Sequence, residues 1–444
     1  MNNFADRAHN HNYRFDPIVR SLLDTDFYKF AMQQFIHSMY PTVKVEFALK
    51  NRTTSVRLAD LIPIEEVREQ LDHARTLRFT NTDLAFLRGQ KFYGENDFFS
   101  PEYIEYLQTY QLPEYDLSVN TDTGQYELLA FGNWADVTLW EIHFLTIMNE
   151  LLTRAYHKQL SKFELNELYA RGTVKLLTKL REIADAKLVG LNLTDFGTRR
   201  RHSFLWQRYC VEAAQEIVGT GFTGTSNVLL AKELGLEARG TNAHELPMTL
   251  AALVQAMGGN EQALRESQYQ VCREWGDFYP PSLRVLLPDT FGTTQFLKHA
   301  PEALSHWTGI RPDSKEPNAA AQEAVDFWLA RGQDPKTKLV LFSDGLNHTD
   351  IIDLHRTWSD KVRVGFGWGT NLTNDFKGCS PSVTNAYNPI SLVAKVSMAA
   401  LDGGAATAVK LSDNYNKATG TDGMVEIYRR AFGHEGMEGA PVLV

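Results

Sequence analysis

The stretch VRVGFGWGTNLT, residues 362–373, is a short apolar run that ends in a polar cluster rich in glycine. Six earlier segments share this pattern, and a helical stretch follows each: LNLTDFGTRRR (191–201), GFTGTSN (221–227), LEARGTNAHE (236–245), LRVLLPDTFGTT (283–294), GIRPDS (309–314) and KLVLFSDGLN (338–347). Strands that alternate with helices predict a parallel sheet. Seven such units predict an α/β barrel whose strand-end loops build one site, with an open doubly wound sheet as the alternative.

The first 150 residues have a different, mixed pattern. They contain a predicted helix at 21–40 with Ser21 or Asp24 as its cap, a strand at 43–51, a hairpin at 117–131 and a helix from 134 to about 157. A late strand candidate, ISLVAKVSM, follows the barrel pattern at 390–398. We therefore divide the chain into an N-terminal mixed α/β domain (1–150) and a barrel domain (151–444), with N-terminal elements packing onto the barrel.

Composition excludes several classes of protein. The 45 basic residues are outnumbered by 54 acidic ones, which argues against a general nucleic-acid coat. Three dispersed cysteines without a CxxC pair indicate neither a disulfide framework nor a zinc knuckle, so a reducing cytoplasm is the expected location. The polar N-terminus is not typical of a signal peptide, and no apolar run approaches the roughly 20 residues of a membrane-spanning helix.

Three adjacent arginines, Arg199, Arg200 and Arg201, follow the first predicted barrel strand. A solvated helix start is the plain interpretation, but positive charge opposes the helix dipole there. Arginine forks match phosphate oxygens, and the glycines of GFTGTSN and GFGWGTNLT would let backbone N–H groups approach a phosphate. We therefore expect an anion site, although each glycine turn alone could be structural.

Three aspartates, Asp289, Asp313 and Asp344, also follow predicted strands. Helix capping is the ordinary role for such residues. Together, beside phosphate-binding loops, they could instead hold sugar hydroxyls and Mg²⁺ through oxygen ligands.

His244 stands beside Glu245 in GTNAHE. The zinc-protease motif HExxH is excluded because Met248 occupies the position of the second histidine, and no GxSxG element indicates a hydrolase. A structural loop histidine is one reading. The other is a phosphoryl acceptor whose imidazole is oriented by a neighbouring carboxylate.

Seven motifs in order, DTDFYK (24–29), DFGTRRR (195–201), GTSN (224–227), GTNAHE (240–245), RPDS (311–314), FSDGLN (342–347) and FGWGTNLT (366–373), together resemble the bacterial nicotinate phosphoribosyltransferase family. The resemblance implies a type II phosphoribosyltransferase fold, an irregular α/β barrel with an N-terminal mixed α/β domain. It implies synthesis of nicotinate mononucleotide and pyrophosphate from nicotinate and phosphoribosyl pyrophosphate, the first step of NAD salvage from nicotinate. ATP hydrolysis through a phosphohistidine would be coupled to the reaction, with Mg²⁺ as cofactor, so the enzyme would be classed as a ligase.

The resemblance also assigns roles to residues. His244 would be the phosphohistidine, with Glu245 and Asp313 as further catalytic residues. Nicotinate would be bound by Tyr28, Phe196, Arg199, Thr225, Ser226 and Arg311, with Tyr28 reaching in from the partner subunit of a homodimer. The phosphoribosyl and phosphate groups would be bound by Arg199, Arg200, Asp344, Gly345, Gly367, Gly369 and Thr370. Asp289, Asp313 and the pyrophosphate would hold Mg²⁺.

One departure from the family pattern follows RPDS, where Lys315 and Glu316 replace the usual glycine and Asp or Asn. Lysine would strain the loop if residue 315 needs a positive φ, or it would add a cation to the phosphate face. Three other functions stay open: a nicotinamide-specific enzyme of the same fold, an unrelated barrel lyase or isomerase, and a non-catalytic nucleotide-binding homologue.

Overall fold

The computed structural model describes residues 15–92, 96–382 and 385–442. The elements of the N-terminal part are α1 (Phe27–Met39), β1 (Lys44–Asn51), α2 (Leu58–Leu61), α3 (Ile64–Thr76), α4 (Asn81–Arg88), β2 (Lys91–Phe92), β3 (Asn96–Asp97), α5 (Pro101–Thr109), β4 (Asp116–Asn120), β5 (Gln125–Asn133), α6 (Trp134–Val137) and α7 (Trp140–His157). The predicted strand at 43–51, the hairpin at 117–131 and the helix after Trp134 are confirmed, the last as two helices in succession.

The second part alternates strands and helices, as its pattern predicts. Its elements are α8 (Lys162–Asp185), β6 (Leu193–Asp195), α9 (Phe204–Val218), β7 (Phe222–Thr225), α10 (Val228–Leu234), α11 (Glu245–Ala256), α12 (Glu261–Phe278), β8 (Val285–Leu286), α13 (Thr293–His299), β9 (Gly309–Ile310), α14 (Pro317–Leu329), β10 (Leu339–Phe342), α15 (His348–Trp358), β11 (Arg363–Trp368), α16 (Thr370–Thr373), β12 (Leu392–Leu401), β13 (Gly404–Thr407) and α17 (Asp422–Phe432).

Six of these strands form a parallel sheet in the order β7-β6-β11-β10-β9-β8. Each is short, and the carboxyl ends of all six lie at one edge, where the strand-end loops meet. No ladder joins β7 to β8 within the described residues, so the α/β barrel is irregular. The fold class is therefore the expected one, an irregular α/β barrel with a mixed α/β N-terminal part.

A second sheet is antiparallel, in the order β13-β12-β1-β5-β4. Strand β12 is the late candidate of the sequence, and it pairs with β1 from Lys44–Ala400 to Asn51–Leu392. The sequence placed this strand candidate in the barrel domain, and the structure places it in the antiparallel sheet. The sheet begun by the N-terminal residues is completed by residues some 350 positions later, so the two parts of the chain are interleaved.

Two other local expectations are corrected. The first helix begins at Phe27 rather than near Ser21, because Asp24 is committed to a buried ion pair with Arg201. The segment LEARGTNAHE forms no strand, and Ala238 makes only an isolated bridge with Thr225.

Helix α7 links the two sheets. Nearly all of its residues are buried, and it contacts β1 and β12 on one side and the 3₁₀ turn Thr198–Arg200 on the other. Polar residues such as Glu141, His143 and Glu150 are buried along with its apolar residues, so the helix lies in the interior. Because α7 packs against the antiparallel sheet and against the strand-end turn Thr198–Arg200, it holds the face of that sheet opposite the mouth of the barrel. None of the described helices is long and apolar enough to cross a membrane.

Candidate active site

A single cavity lies between the strand-end loops of the barrel and the antiparallel sheet. Most of the residues assigned from the sequence line it: Tyr28, Phe196, Arg199, Arg200, His244, Glu245, Arg311, Asp313, Asp344, Gly345, Gly369 and Thr370. Loops far apart in sequence therefore meet here, as a barrel with its site on one face requires.

His244 immediately precedes α11 and is buried. Its Nδ1 lies 2.9 Å from Thr290 Oγ1, and its Nε2 lies 3.0 Å from Lys410 Nζ and 3.2 Å from Asp313 Oδ2. Lys410 can only donate and the Asp313 carboxylate can only accept, so the tautomer protonated at Nδ1 satisfies Lys410 and Thr290, whereas the tautomer protonated at Nε2 satisfies Asp313. Burial lowers the pKa of His244 to about 4, against the opposing effect of Asp289. The imidazole is therefore neutral at neutral pH, with Nε2 directed at the cavity.

Glu245 does not orient this imidazole, contrary to the expectation from the adjacent pair. Its carboxylate accepts hydrogen bonds from Trp134 Nε1 (2.6 Å) and Thr138 Oγ1 (2.7 Å) and forms an ion pair with Lys29. Lys29 is fully buried and also pairs with Glu141 at 2.5 Å. Glu245 therefore anchors the start of α11, and Thr290 takes the orienting role.

The three arginines differ sharply. Arg201 is fully buried and donates two hydrogen bonds to Asp24, at 2.6 and 2.7 Å, so it is part of the core and not of an anion site. Arg199 lies 3.6 Å from both Asp26 and Glu141, beyond good hydrogen-bonding distance. Arg200 lines the cavity and makes no ion pair with any described residue. Arg199 and Arg200 can therefore receive an anion.

The two aromatic residues expected to hold the pyridine ring both line the cavity. Tyr28 does so from within the same chain, and a contribution from a partner subunit stays a prediction. The Arg199 guanidinium lies 5.8 Å from the centre of the Tyr28 ring. Gly367, expected in the phosphate loop, is instead in β11, where a methyl group would collide with the Phe196 ring. Gly367 therefore seats Phe196 and does not line the cavity.

Thr225 and Ser226, expected at the nicotinate carboxylate, are buried behind the cavity wall. Thr225 Oγ1 donates to Asp195 (2.7 Å), and Ser226 Oγ donates to Asp26 (2.6 Å). Their hydroxyl groups are thus committed to buried carboxylates. Ser226 acts on the site only through Asp26, the carboxylate that faces Arg199.

The remaining strand-end residues occupy the positions expected of them. Asp313 Oδ1 accepts a hydrogen bond from Ser343 (2.8 Å), and Arg311 donates to the carbonyl of Asn242 (3.0 Å). Asp344 pairs with Lys417 at 2.5 Å. Gly345 has φ +62°, the left-handed conformation that glycine adopts without strain.

Lys315 and Glu316 have neither of the consequences considered for them. Lys315 is not among the residues with positive φ, and its ammonium bonds Thr294 (3.0 Å) and Glu323 (2.6 Å), away from the cavity. Glu316 caps α14 by accepting hydrogen bonds from the backbone N–H groups of Asn318 and Ala319. The two residues that depart from the family pattern therefore have structural roles: Glu316 caps a helix, and Lys315 forms a partly buried ion pair.

Sequence reasoning missed four cations on the opposite wall: Arg52, Lys395, Lys410 and Lys417. Lys395 interrupts the apolar strand β12, a charge in an otherwise core-like run that could have marked it. Burial and the neighbouring Lys410 lower the pKa of Lys395 to about 7. Arg52 and the other two lysines come from loops and give no comparable signal.

Among the described residues, one group of side chains could hold a metal ion: His244, Asp289 and Asp313. Asp289 Oδ1 is buried without a hydrogen-bond partner, whereas its Oδ2 accepts hydrogen bonds from Ser314 (2.7 Å) and Lys410 (3.1 Å). Mg²⁺ prefers one or two carboxylates together with substrate phosphates and water. The two carboxylates fit this preference, but the imidazole is already engaged by Thr290 and Lys410.

Comparison with known proteins gives a consistent result. A family model described as the nicotinate phosphoribosyltransferase (NAPRTase) family matches residues 191–435, and one described as the N-terminal domain of that family matches 23–149. The crystal structure of a nicotinate phosphoribosyltransferase from Vibrio cholerae is 28% identical, with a TM-score of 0.81 over 94% of each chain. One from Porphyromonas gingivalis is 26% identical, with a TM-score of 0.79 over 94% of this chain and 100% of that one.

Proposed function

The chain belongs to the nicotinate phosphoribosyltransferase family, and we propose that it couples phosphoribosyl transfer to ATP hydrolysis through a phosphohistidine at His244. Its substrates would be nicotinate, phosphoribosyl pyrophosphate and ATP, and its products nicotinate mononucleotide, pyrophosphate, ADP and phosphate. The observation that carries the proposal is the neutral imidazole of His244, whose Nε2 faces a cavity lined by seven cationic side chains.

The charges of the cavity suit the substrates. Arg52, Arg199, Arg200, Arg311, Lys395, Lys410 and Lys417 line it, against the carboxylates of Glu141, Glu245, Asp313 and Asp344. The buried Lys29 pairs with both Glu141 and Glu245 and offsets one of their two negative charges. The remaining excess of positive charge matches a sugar that carries a phosphate and a pyrophosphate.

The transfer step needs positioning more than covalent chemistry. The pyridine nitrogen of nicotinate donates its electron pair to the anomeric carbon while the carbon–oxygen bond to pyrophosphate breaks and its electrons leave with the pyrophosphate. The transition state resembles an oxocarbenium ion. Tyr28 and Phe196 would fix the ring, and Arg199 and Arg200 would stabilise the charge on the leaving group.

Histidine phosphorylation would use the tautomer protonated at Nδ1, in which Nε2 accepts a hydrogen bond from Lys410. The Nε2 lone pair attacks the γ-phosphorus of ATP, the bond to the bridging oxygen breaks, and ADP leaves with those electrons. Thr290 holds the Nδ1 proton throughout, and Lys410 lies where it can neutralise the incoming phosphoryl oxygens. Water later attacks the phosphorus, the P–N bond breaks, and phosphate leaves. The roughly −1.5 to −2 charges added beside the cations would bias the loops toward an ordered state.

Magnesium fits this site in part. Asp313 faces the cavity and would hold the ion with the pyrophosphate, while the free Oδ1 of buried Asp289 offers a second oxygen behind it. When bound, Mg²⁺ would neutralise charge on the departing pyrophosphate. The homodimer expected from the family resemblance stays a prediction.

Nicotinamide is the competing ring substrate. Arg199 and Arg311 both line the cavity, and a guanidinium pairs with a carboxylate but not with a carboxamide. The acid is therefore favoured, and the ratio of kcat/KM for the two rings measures this preference.

The test compares His244→Ala with the wild-type enzyme and with His306→Ala, a control at an exposed histidine. We expect His244→Ala to lose nicotinate-dependent ATP turnover and the acid-labile, alkali-stable phosphate label. A weak, ATP-independent transfer should remain. His306→Ala should behave as the wild type. Full ATP coupling in His244→Ala would refute the phosphohistidine.

A further inference from the structure

Residues 410–419, here called the lysine loop, carry two of the cations on the wall opposite the barrel. The loop is closed by a reciprocal pair of backbone hydrogen bonds, Lys410 N to Thr419 O (3.1 Å) and Thr419 N to Lys410 O (2.9 Å). Between these ends, Lys410 contacts His244 and Lys417 contacts Asp344. The conformation of this loop therefore decides where both ammonium groups lie.

The inner side of the loop is attached to the residue that orients the imidazole. Leu411 N and Ser412 N donate to the carbonyl of Thr290, at 2.9 and 3.2 Å. The hydroxyl of the same Thr290 bonds His244 Nδ1. A displacement of the loop would therefore reach both nitrogens of the imidazole, one through Lys410 and the other through Thr290.

The outer side of the loop is held by residues 434–442, here called the strap. Tyr415 N donates to Glu438 O (3.1 Å), and Glu438 N donates to Asp413 O (2.8 Å). Asn414 is the centre of this contact, since its Nδ2 donates to Ala440 O (3.0 Å) and its Oδ1 accepts from Ala440 N (3.2 Å).

The strap is fixed to the barrel at its other end. Met437 packs against the cluster that contains Phe291, and Glu435 pairs with Lys298 at 2.9 Å. Gly436 has φ +73° and lies so close to Thr294 that a side chain at residue 436 would collide with it. The strap thus spans from the start of α13 to the lysine loop, and Val442 reaches the cavity wall. Residues 436–442 lie beyond the range matched by the family model.

We propose that Asn414 and the strap are positioning elements, which hold Lys410 at His244 and Lys417 at Asp344. Lys410 pairs with Asp289 and Lys417 pairs with Asp344, and the strap fixes the backbone from which these two side chains reach their partners. The strap does so through backbone and amide hydrogen bonds that contain no titratable group. The role of Lys410 in phosphorylation rests on the proposed function, whereas the role of the two lysines in binding pyrophosphate does not.

Two variants disrupt the contact between the lysine loop and the strap, one by a change in the loop and the other by a change in the strap. Asn414→Ala removes the amide from the loop, and Gly436→Val displaces the strap without altering the loop. Both should raise the KM for phosphoribosyl pyrophosphate about tenfold or more, because two charge-assisted contacts are misplaced. Both should slow labelling of His244 from ATP by a similar factor. The KM for nicotinate should stay at the wild-type value, because Tyr28 and Phe196 lie outside the loop.

Arg265→Ala is the matched control, since it removes only an exposed pair with Glu261 that belongs to neither the loop nor the strap, and it should leave both quantities unchanged. Thermal unfolding is recorded for every variant. Wild-type KM for phosphoribosyl pyrophosphate in Asn414→Ala would overturn the inference, and so would an equal rise of both KM values with a lowered Tm, the mark of general damage. Absence of any label on the wild-type enzyme would refute the phosphohistidine alone, because the KM comparison still decides the role of the strap.

Discussion

The cavity has a barrel wall, formed by the strand-end loops, and a sheet wall, formed by Arg52, Lys395, Lys410 and Lys417. The charged side chains of the two walls differ in their partners. On the barrel wall, Arg199 faces two carboxylates and Asp313 is bonded by Ser343. On the sheet wall, Lys410 and Lys417 pair with Asp289 and Asp344. Arg52 and Lys395, like Arg200 on the barrel wall, form no ion pair within the described part of the chain, and Arg52 donates to the carbonyl of Lys417 (2.5 Å). Partnered groups are fixed in direction before substrate arrives, whereas unpartnered cations gain a counter-ion only when an anion binds. We infer that the partnered groups, such as Arg199 and Asp313, orient the substrates, and that the unpartnered cations, Arg52 and Lys395 on the sheet wall and Arg200 on the barrel wall, supply attraction.

The largest effect of a substitution should come from the arginine triplet, which contains a core residue, Arg201, and a cavity residue, Arg200. Arg201→Met leaves the fully buried Asp24 without its charged partner, although Asn227 still donates to it, and breaking a buried pair costs about 3–5 kcal/mol. Arg200→Met breaks no ion pair among the described residues, so its unfolding free energy should be unchanged. Its kcat/KM for phosphoribosyl pyrophosphate should fall roughly 10- to 100-fold, as loss of a charged hydrogen bond implies.

Urea unfolding and steady-state kinetics on both variants check this division. An Arg201 variant as stable as the wild type would mean that Asp24 finds another partner, so the triplet would not be divided between core and cavity. An Arg200 variant with normal kinetics would remove Arg200 from the anion site.

The sheet wall makes a second prediction, because Lys395 should titrate near neutral pH. Burial and nearby Lys410 lower its pKa to about 7, so it is cationic below that pH and loses its charge above it. The KM for phosphoribosyl pyrophosphate should therefore rise as the pH is raised through about 7. Lys395→Met should raise this KM about tenfold at the acidic end and progressively less above pH 7, where the wild-type lysine is itself neutral.

The substrate also titrates in this range, so the ratio of the two KM values at each pH is the quantity to measure. A ratio independent of pH would show that Lys395 keeps its charge.

The two walls also differ in how far the sequence could predict them. The residues of the barrel wall follow short apolar runs, and the carboxyl ends of parallel strands meet at one edge, so Asp313, Asp344 and Arg200 could be placed together without coordinates. The sheet wall depends on the pairing of β12 with β1, a contact between residues some 350 positions apart. A strand pattern does not specify its partner, and for that reason Lys395 was missed.

The direction in which each side chain points was the other property that could not be predicted from the sequence. Glu245 follows His244 directly, yet it turns toward Lys29, because adjacent residues at a helix start point to different sides. Gly367 belongs to a motif that fits a phosphate loop, but the Phe196 ring occupies the space that its missing side chain leaves. Motifs identified the loops that meet, and packing decided which of their members face the cavity.

The smallest effect should come from Ser226, where the sequence and the structure disagree. A direct contact with the nicotinate carboxylate would make Ser226→Ala raise the KM for nicotinate by roughly 10- to 100-fold. In the structure Ser226 bonds Asp26 and lies behind the cavity wall, so only one hydrogen bond to a buried carboxylate is lost. Without the hydrogen bond from Ser226, the Asp26 carboxylate attracts Arg199 more strongly. The Arg199 guanidinium then moves toward Asp26 and away from the cavity. We expect the KM for nicotinate to rise by less than about fivefold and the unfolding free energy to fall by about 1–2 kcal/mol. Steady-state kinetics with nicotinate and urea unfolding measure the two quantities, and a tenfold or larger KM change at wild-type stability would place the hydroxyl at the substrate after all.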